Sequence, residues 1–181
     1  CVSKFAGSFE KKLAIVIRLD DASHATAAAV AVARCFPLYD STTGEKKTGR
    51  SVQLALVGPD GSDVKADKTL KAMVDAVRLV SRLVDTPPQD MRTSTLEDEA
   101  RAAVKGIAGV RVTSIVGDKL LAKKMGGIHA VGRTATVPPR LVVLEYKPSK
   151  KPRRTVALVG KGIVYDTGGL SLKTGGSMCG M

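Results

Sequence analysis

The chain has 181 residues, of which 44% are hydrophobic and 25% are charged, and these proportions exclude a wholly disordered or collagen-like protein. No window approaches about 18 uncharged apolar residues, so the sequence offers no membrane-spanning helix. Tryptophan is absent and aromatic residues make up 3% of the chain, which disfavours single-strand nucleic-acid binding through base stacking.

The net charge of +12 belongs entirely to the second part of the chain. Residues 1–100 carry equal numbers of basic and acidic side chains, whereas residues 101–181 carry 15 basic and three acidic ones. Two interpretations stay open: a surface for nucleic acid or anionic lipid, or acidic partners supplied by chain outside these residues.

The three cysteines, Cys1, Cys35 and Cys179, are far apart and form no CxxC pair. A disulfide framework and a structural zinc site are therefore not indicated, and a reducing compartment, the cytoplasm, is the expected location. No secretory leader is visible. Because the chain begins at Cys1 and stops at Met181 in a glycine-rich stretch, we expect it to be a segment of a longer protein.

The first predicted elements alternate between strand and helix. Lys12–Leu19 is a short apolar run typical of a buried strand, and His24–Phe36 is an Ala/Val-rich helix that ends before a proline. Asp40–Arg50 is a polar loop, and Ser51–Val57 is a second strand. This order predicts an α/β layer.

Two longer helices follow. Ala66–Val84 has apolar residues at helical spacing and ends at the prolines after Thr86. Ser94 followed by Glu97 has the capping-box pattern, which predicts a helix over Thr95–Ile107.

The rest of the chain continues the α/β alternation. The remaining predicted elements are a strand at Val110–Val116, a short helix at Asp118–Met125 capped by Gly126-Gly127, and strands at Arg140–Tyr146 and Thr155–Gly160. The regular alternation of helix and strand after residue 66 predicts a boundary near residues 58–66, with two α/β domains over residues 1–65 and 66–181.

Two conspicuous features favour no particular chemistry. The basic run Lys147–Arg154 could contact phosphate, but it lacks aromatic residues and contains prolines, so a solvated loop between strands is the preferred interpretation. His24 and His129 have no second histidine or cysteine at metal-ligand spacing. No GxSxG motif supports a serine nucleophile.

The segment Val159–Lys173, VGKGIVYDTGGLSLK, allows three interpretations. A phosphate-binding loop is rejected, because Lys161 precedes the glycines and Asp166 would repel phosphate. Turn glycines alone would leave the charged side chains at the end of a core strand unexplained. The third interpretation is a divalent-cation site that uses a carboxylate and a lysine whose pKa is lowered by the neighbouring ion.

The same segment resembles the leucyl (cytosol) aminopeptidase family of dinuclear metallopeptidases. The resemblance rests on Gly160-Lys161-Gly162, Asp166-Thr167-Gly168-Gly169 and Ser171-Leu172-Lys173, with weaker similarity at Leu83–Met91 and Gly126–Arg133. It implies a mixed-sheet α/β catalytic domain.

In this interpretation the chain carries parts of two domains. Residues 1–65 are the C-terminal part of an N-terminal α/β domain. Residues 66–181 are the N-terminal, truncated part of the metallopeptidase catalytic domain.

The resemblance also implies roles for four residues. Lys161 is similar to a lysine that ligates one metal ion, and Asp166 to the carboxylate that bridges two ions. Lys173 is similar to the catalytic lysine near the substrate carbonyl, and Met181 to a methionine that lines the side-chain pocket. All four are expected to contact substrate.

The implied reaction is hydrolysis of the N-terminal bond of peptides through a water activated by two divalent metal ions. Zn²⁺ is the expected ion, with Mn²⁺ or Mg²⁺ as alternatives, and Lys173 would stabilise the oxyanion. The resemblance implies a homo-hexamer. We expect no membrane partner, and the scarcity of aromatic residues disfavours nucleic acid as a partner. Since the family's other ligands lie beyond Met181, we expect these 181 residues alone to be inactive. The alternative is a nucleic-acid-binding or non-catalytic scaffold protein that uses the basic second half.

Overall fold

The computed structural model describes residues 11–36, 38–39 and 51–179, so the loop predicted at Asp40–Arg50 lies outside the described residues. The chain forms two compact units, Cys1–Thr86 and Pro87–Met181. The domain boundary predicted at residues 65/66 stays a prediction.

The first unit is built on two parallel strands. Strand β1 (Lys12–Arg18) pairs in parallel with β2 (Ser51–Val57), with Lys12 opposite Ser51. Parallel neighbours need a crossover connection, and helix α1 (Ala25–Arg34) lies between them in sequence. The two strands, the helix and the α/β layer predicted here are confirmed.

Helix α2 (Lys68–Asp85) completes this unit and confirms the helix predicted there. Asp67 caps the start of this helix, since its carboxylate accepts the Leu70 N–H at 2.7 Å, and the helix packs on α1. The α2–α1 contact explains why the first unit extends to Thr86. Its buried core consists of Leu19, Ala25, Ala29, Leu56 and Leu70.

In its described part, the second unit contains an antiparallel pair of strands with three α-helices. Its elements are α3 (Thr93–Ala103), β3 (Val110–Val116), α4 (Lys119–Ala122), α5 (Gly126–Gly132) and β4 (Arg140–Tyr146). Val110 lies opposite Tyr146, and the pairing runs to Val116 opposite Arg140. Both strands have the bounds predicted from sequence.

Glu97 joins α3 to both strands of the second unit. This residue is 8% exposed, and its carboxylate accepts hydrogen bonds from Ser114 at 2.5 Å, Arg101 at 2.7 Å and Arg140 at 2.6 Å. The hydrogen bond from Ser114 is the largest cause that lowers the pKa of Glu97 to about 2, followed by that from Arg140. The carboxylate is therefore ionised at neutral pH.

The capping box predicted at Ser94 and Glu97 is wrong. Helix α3 begins at Thr93, after Arg92, and no side chain caps it. The Glu97 carboxylate cannot fold back onto the helix start, because β3, β4 and the next turn of α3 already supply its hydrogen-bond donors.

The glycine cap predicted at Gly126-Gly127 is also wrong. Lys124 itself adopts the left-handed conformation, with φ 59°, and the Met125 N–H donates to the Leu120 carbonyl at 2.8 Å. Helix α4 thus ends without glycine, and Gly126 instead begins α5, a helix that the sequence analysis missed.

The predicted strand Thr155–Gly160 is absent from the two sheets of the described residues. Its residues are all exposed, with Leu158 at 94% and Val159 at 98%. An apolar run becomes a strand only when it hydrogen-bonds to a neighbouring strand, and this run is paired with a strand of neither sheet. In the same described ranges, no helix is both long and apolar enough to cross a membrane.

Candidate metal centre

Glycines shape the loop that carries the candidate site. Gly168 and Gly169 both have positive φ, 86° and 60°, a conformation that side chains disfavour. The turn brings the Lys173 N–H within 2.9 Å of the Thr167 carbonyl oxygen. A Cβ atom on Gly168 would overlap the Ser171 carbonyl oxygen, so this position requires glycine.

Asp166 lies at the centre of this turn. Its Oδ1 accepts the Gly168 N–H at 2.8 Å, and its Oδ2 accepts from the Lys173 ammonium at 2.9 Å. The Asp166 side chain is 48% exposed and that of Lys173 is 28% exposed, so the ion pair is open to water on one side.

The charges around Asp166 favour its anionic form. The hydrogen bond from Lys173 is the largest cause that lowers its pKa, and the Gly168 N–H is the second. The positive charges of Lys173 and Lys161 lower this pKa further. Asp166 therefore presents a negatively charged carboxylate at neutral pH, as a cation ligand must.

The structure brings two of the predicted residues into contact and leaves a third nearby. Asp166 and Lys173 form the ion pair, while Lys161 is exposed and acts on Asp166 through its charge. Met181 lies outside the described residues. The ligand and catalytic roles of all four stay predictions.

Sequence reasoning missed the contributions of Gly168 and Thr167. The Gly168 N–H orients the Asp166 carboxylate, and the Thr167 carbonyl fixes the backbone of Lys173. The signal that could have found them is Asp-x-Gly, in which an Asp side chain accepts the N–H two residues later.

Asp166 suits a metal ion, because its carboxylate already binds a positively charged group. The Asp166 carboxylate already holds a cation, the Lys173 ammonium, with one oxygen, while its other oxygen is fixed by the Gly168 N–H. Lys161 would have to lose its proton to become a ligand. Among the described residues, no three His, Cys, Asp or Glu side chains gather into a metal site.

The basic run and His129 lie apart from this turn in sequence, and the contacts described for them are with other residues. Residues 147–154 are all exposed and belong to neither helix nor strand, as predicted for a loop. Lys147 Nζ lies 3.4 Å from Glu145 Oε1, and His129 Nε2 lies 3.2 Å from Asp118 Oδ1.

Comparisons with known proteins agree on one family. The profile of the cytosol aminopeptidase family, catalytic domain, matches residues 78–181. The human probable aminopeptidase NPEPL1 is 43% identical over 162 residues, which cover 86% of this chain and 30% of that protein. Leucine aminopeptidase 1 of Caenorhabditis elegans is 43% identical over 105 residues, covering 58% of this chain and 21% of that protein.

Solved structures show the same relationship in three dimensions. Leucyl aminopeptidase from Trypanosoma brucei in complex with bestatin aligns with a TM-score of 0.78 and 31% identity, covering 99% of this chain and 35% of that one. The leucine aminopeptidase of Caenorhabditis elegans aligns with a TM-score of 0.78 and 31% identity, covering 94% and 34%.

The fold and these similarities define the class of protein: an α/β chain that carries part of an aminopeptidase catalytic domain. This chain belongs to the cytosol aminopeptidase family. It spans about 30% of the length of the NPEPL1 relatives that it matches.

Proposed function

We propose that this chain is part of a dinuclear metallo-aminopeptidase of the leucyl aminopeptidase type, which releases N-terminal residues from peptides in the cytoplasm. Family membership supports the reaction class. The solved relatives also support it, since one is a leucyl aminopeptidase in complex with bestatin and another is one in complex with actinonin.

One observation in the structure carries the proposal to particular residues. The Asp166 carboxylate is oriented by a backbone N–H and lies among the cations Lys173 and Lys161, in the motif that resembles the family's metal site. Such a carboxylate is ionised at neutral pH and suits Zn²⁺, Mn²⁺ or Mg²⁺. Asp166 and Lys161 are therefore the residues that would hold the ions.

The chain's own residues would divide the work. The two bound ions would supply a water of lowered pKa and Lewis acidity toward the scissile carbonyl. Lys161, as a ligand, would act as a neutral amine, whereas Lys173 would keep its proton and stabilise negative charge on the carbonyl oxygen. Met181 would contact the N-terminal side chain of the peptide.

The cofactors and partners follow from the same proposal. We propose two divalent ions per subunit, Zn²⁺ first and Mn²⁺ or Mg²⁺ as alternatives, with peptides that have a free N-terminus as substrates. The assembly would be a homo-hexamer, with neither membrane nor nucleic acid as a partner. Elemental analysis of the purified full-length protein tests the metal, and sedimentation equilibrium tests the assembly.

Two substitutions test the reaction. In the full-length protein, Lys161→Ala and Asp166→Ala should each lower kcat/KM on a peptide substrate by at least about tenfold, because each removes a metal ligand. Lys151→Ala is the matched control, since it removes a lysine from the exposed loop and should leave kcat/KM unchanged. Loss of less than about tenfold in both site variants would contradict the proposed metal site.

A further inference from the structure

The ion pair between Lys173 and Asp166 competes with any metal ion for the same oxygen. Oδ1 of Asp166 accepts the Gly168 N–H at 2.8 Å, and Oδ2 is the oxygen that already carries a cation. The Lys173 ammonium lies 2.9 Å from Oδ2. A divalent ion bound to Oδ2 would lie close to the Lys173 ammonium, and the two positive charges would repel each other.

The backbone keeps Lys173 beside Asp166 even when its side chain moves. The Lys173 N–H donates to the Thr167 carbonyl at 2.9 Å, and Gly168 provides the left-handed turn that closes this loop. The ammonium is carried by a flexible four-carbon chain with three rotatable donors. It can therefore leave Oδ2 without the loop opening.

We propose that Lys173 is a displaceable cation: in the metal-free protein it occupies the Asp166 carboxylate, and an incoming divalent metal ion must expel it. This inference rests on the proposed function, and it assigns Lys173 a second duty at the same site. Metal loading and release of the Lys173 ammonium are then one event. The lysine becomes available to a substrate carbonyl only when the ion is in place.

The expected effect on affinity follows from the strength of the pair. An ion pair this exposed to solvent is weak, and it shifts an equilibrium constant by a factor of up to about five. The apparent affinity for metal is reduced by the fraction of protein in which the carboxylate is blocked. Removing the ammonium should therefore tighten metal binding about twofold to fivefold.

The test measures Mn²⁺ binding to the metal-stripped full-length protein by electron paramagnetic resonance of the free ion. Lys173→Met should bind Mn²⁺ about twofold to fivefold more tightly than wild type, and Lys173→Arg, which keeps the charge, should stay within about twofold of it. Lys151→Met is the control for net charge and should bind like wild type. An unchanged or weaker affinity in Lys173→Met would overturn the inference.

Asp166→Asn separates this inference from the proposed function. If Asp166→Asn loses Mn²⁺ affinity while Lys173→Met gains none, the metal site stands and the displaceable cation is refuted. If Asp166→Asn binds Mn²⁺ like wild type, the proposed metal site and the displaceable cation are both refuted.

A second measurement needs no variant. In wild-type protein labelled with ¹⁵N-lysine, the Lys173 ammonium resonance should shift on saturation with Zn²⁺. A resonance that stays in place would overturn the inference.

Discussion

The Glu97 carboxylate should act as an acid-sensitive clamp between α3 and the β3–β4 pair. Glu97→Gln keeps the shape of the side chain and removes its charge, so it isolates the electrostatic part of the interaction with Arg101 and Arg140. Glu97 is 8% exposed, and every hydrogen-bond donor to its carboxylate favours the ionised form.

The magnitude follows from the lowered pKa. A fall from 4.5 to about 2 corresponds, at about 1.4 kcal/mol per pH unit, to an upper value of about 3 kcal/mol at neutral pH. Arg101 is 44% exposed, so solvent screens its share, and we expect Glu97→Gln to lower the free energy of unfolding by about 2 kcal/mol.

The pH dependence gives a signature that a packing defect would not produce. Because the folded pKa lies below the unfolded one, the contribution is fully present above the unfolded pKa and is lost as the pH falls from 4.5 to about 2. The stability difference between wild type and Glu97→Gln should therefore shrink steadily over this window. Any other effect of acid is common to both proteins, so only the difference between their stabilities reports on Glu97.

Urea unfolding at a series of pH values measures this difference. Asp98→Asn is the matched control: it removes an exposed carboxylate from the same helix and should change the free energy of unfolding by less than about 0.5 kcal/mol. The reasoning is refuted if Glu97→Gln costs no more than Asp98→Asn at pH 7. It is equally refuted if the cost at about pH 3 equals that at pH 7.

Two glycine pairs give further predictions. Gly132→Ala should destabilise the protein by about 1–3 kcal/mol in urea unfolding, because its Cβ would overlap the Pro139 ring, whereas Gly127→Ala in the same helix has nothing within 4 Å and should not destabilise it. Equal costs for the two would contradict this account of α5. Gly168→Ala should weaken Mn²⁺ binding to the full-length protein more than Gly169→Ala does. Both residues have positive φ, but only a Cβ on Gly168 would collide with the metal-site loop, and equal losses would mean that backbone strain alone matters.

The strands were predictable wherever a partner lies within the described chain. The apolar residues of Lys12–Arg18 and Val110–Val116 predicted strands, and the spacing of the apolar residues predicted the helix at Lys68–Asp85. Thr155–Gly160 has an equally apolar sequence, yet it forms no strand there, because hydrogen-bond pairing is a property of two segments. Local sequence contains only one of them.

The site was predictable in its residue types and less so in its contacts. Sequence singled out Asp166 and Lys173, but it assigned them separate duties and gave no sign that they bind each other at 2.9 Å. Glu97 was misassigned for a related reason: its partners Ser114 and Arg140 come from strands far along the chain. Polar contacts between residues far apart in the chain produce no periodic pattern in the sequence, so they cannot be predicted from it.

The uncovered apolar segment Thr155–Gly160 has a consequence for handling the protein. Short runs of β-branched and aliphatic residues without charge invite copies of a chain to stack edge to edge into insoluble material. Here Arg153 and Arg154 precede the run and Lys161 follows it, so stacked copies would place like charges side by side at both ends. We expect these flanking cations to oppose such stacking, as charged residues beside an apolar strand commonly do.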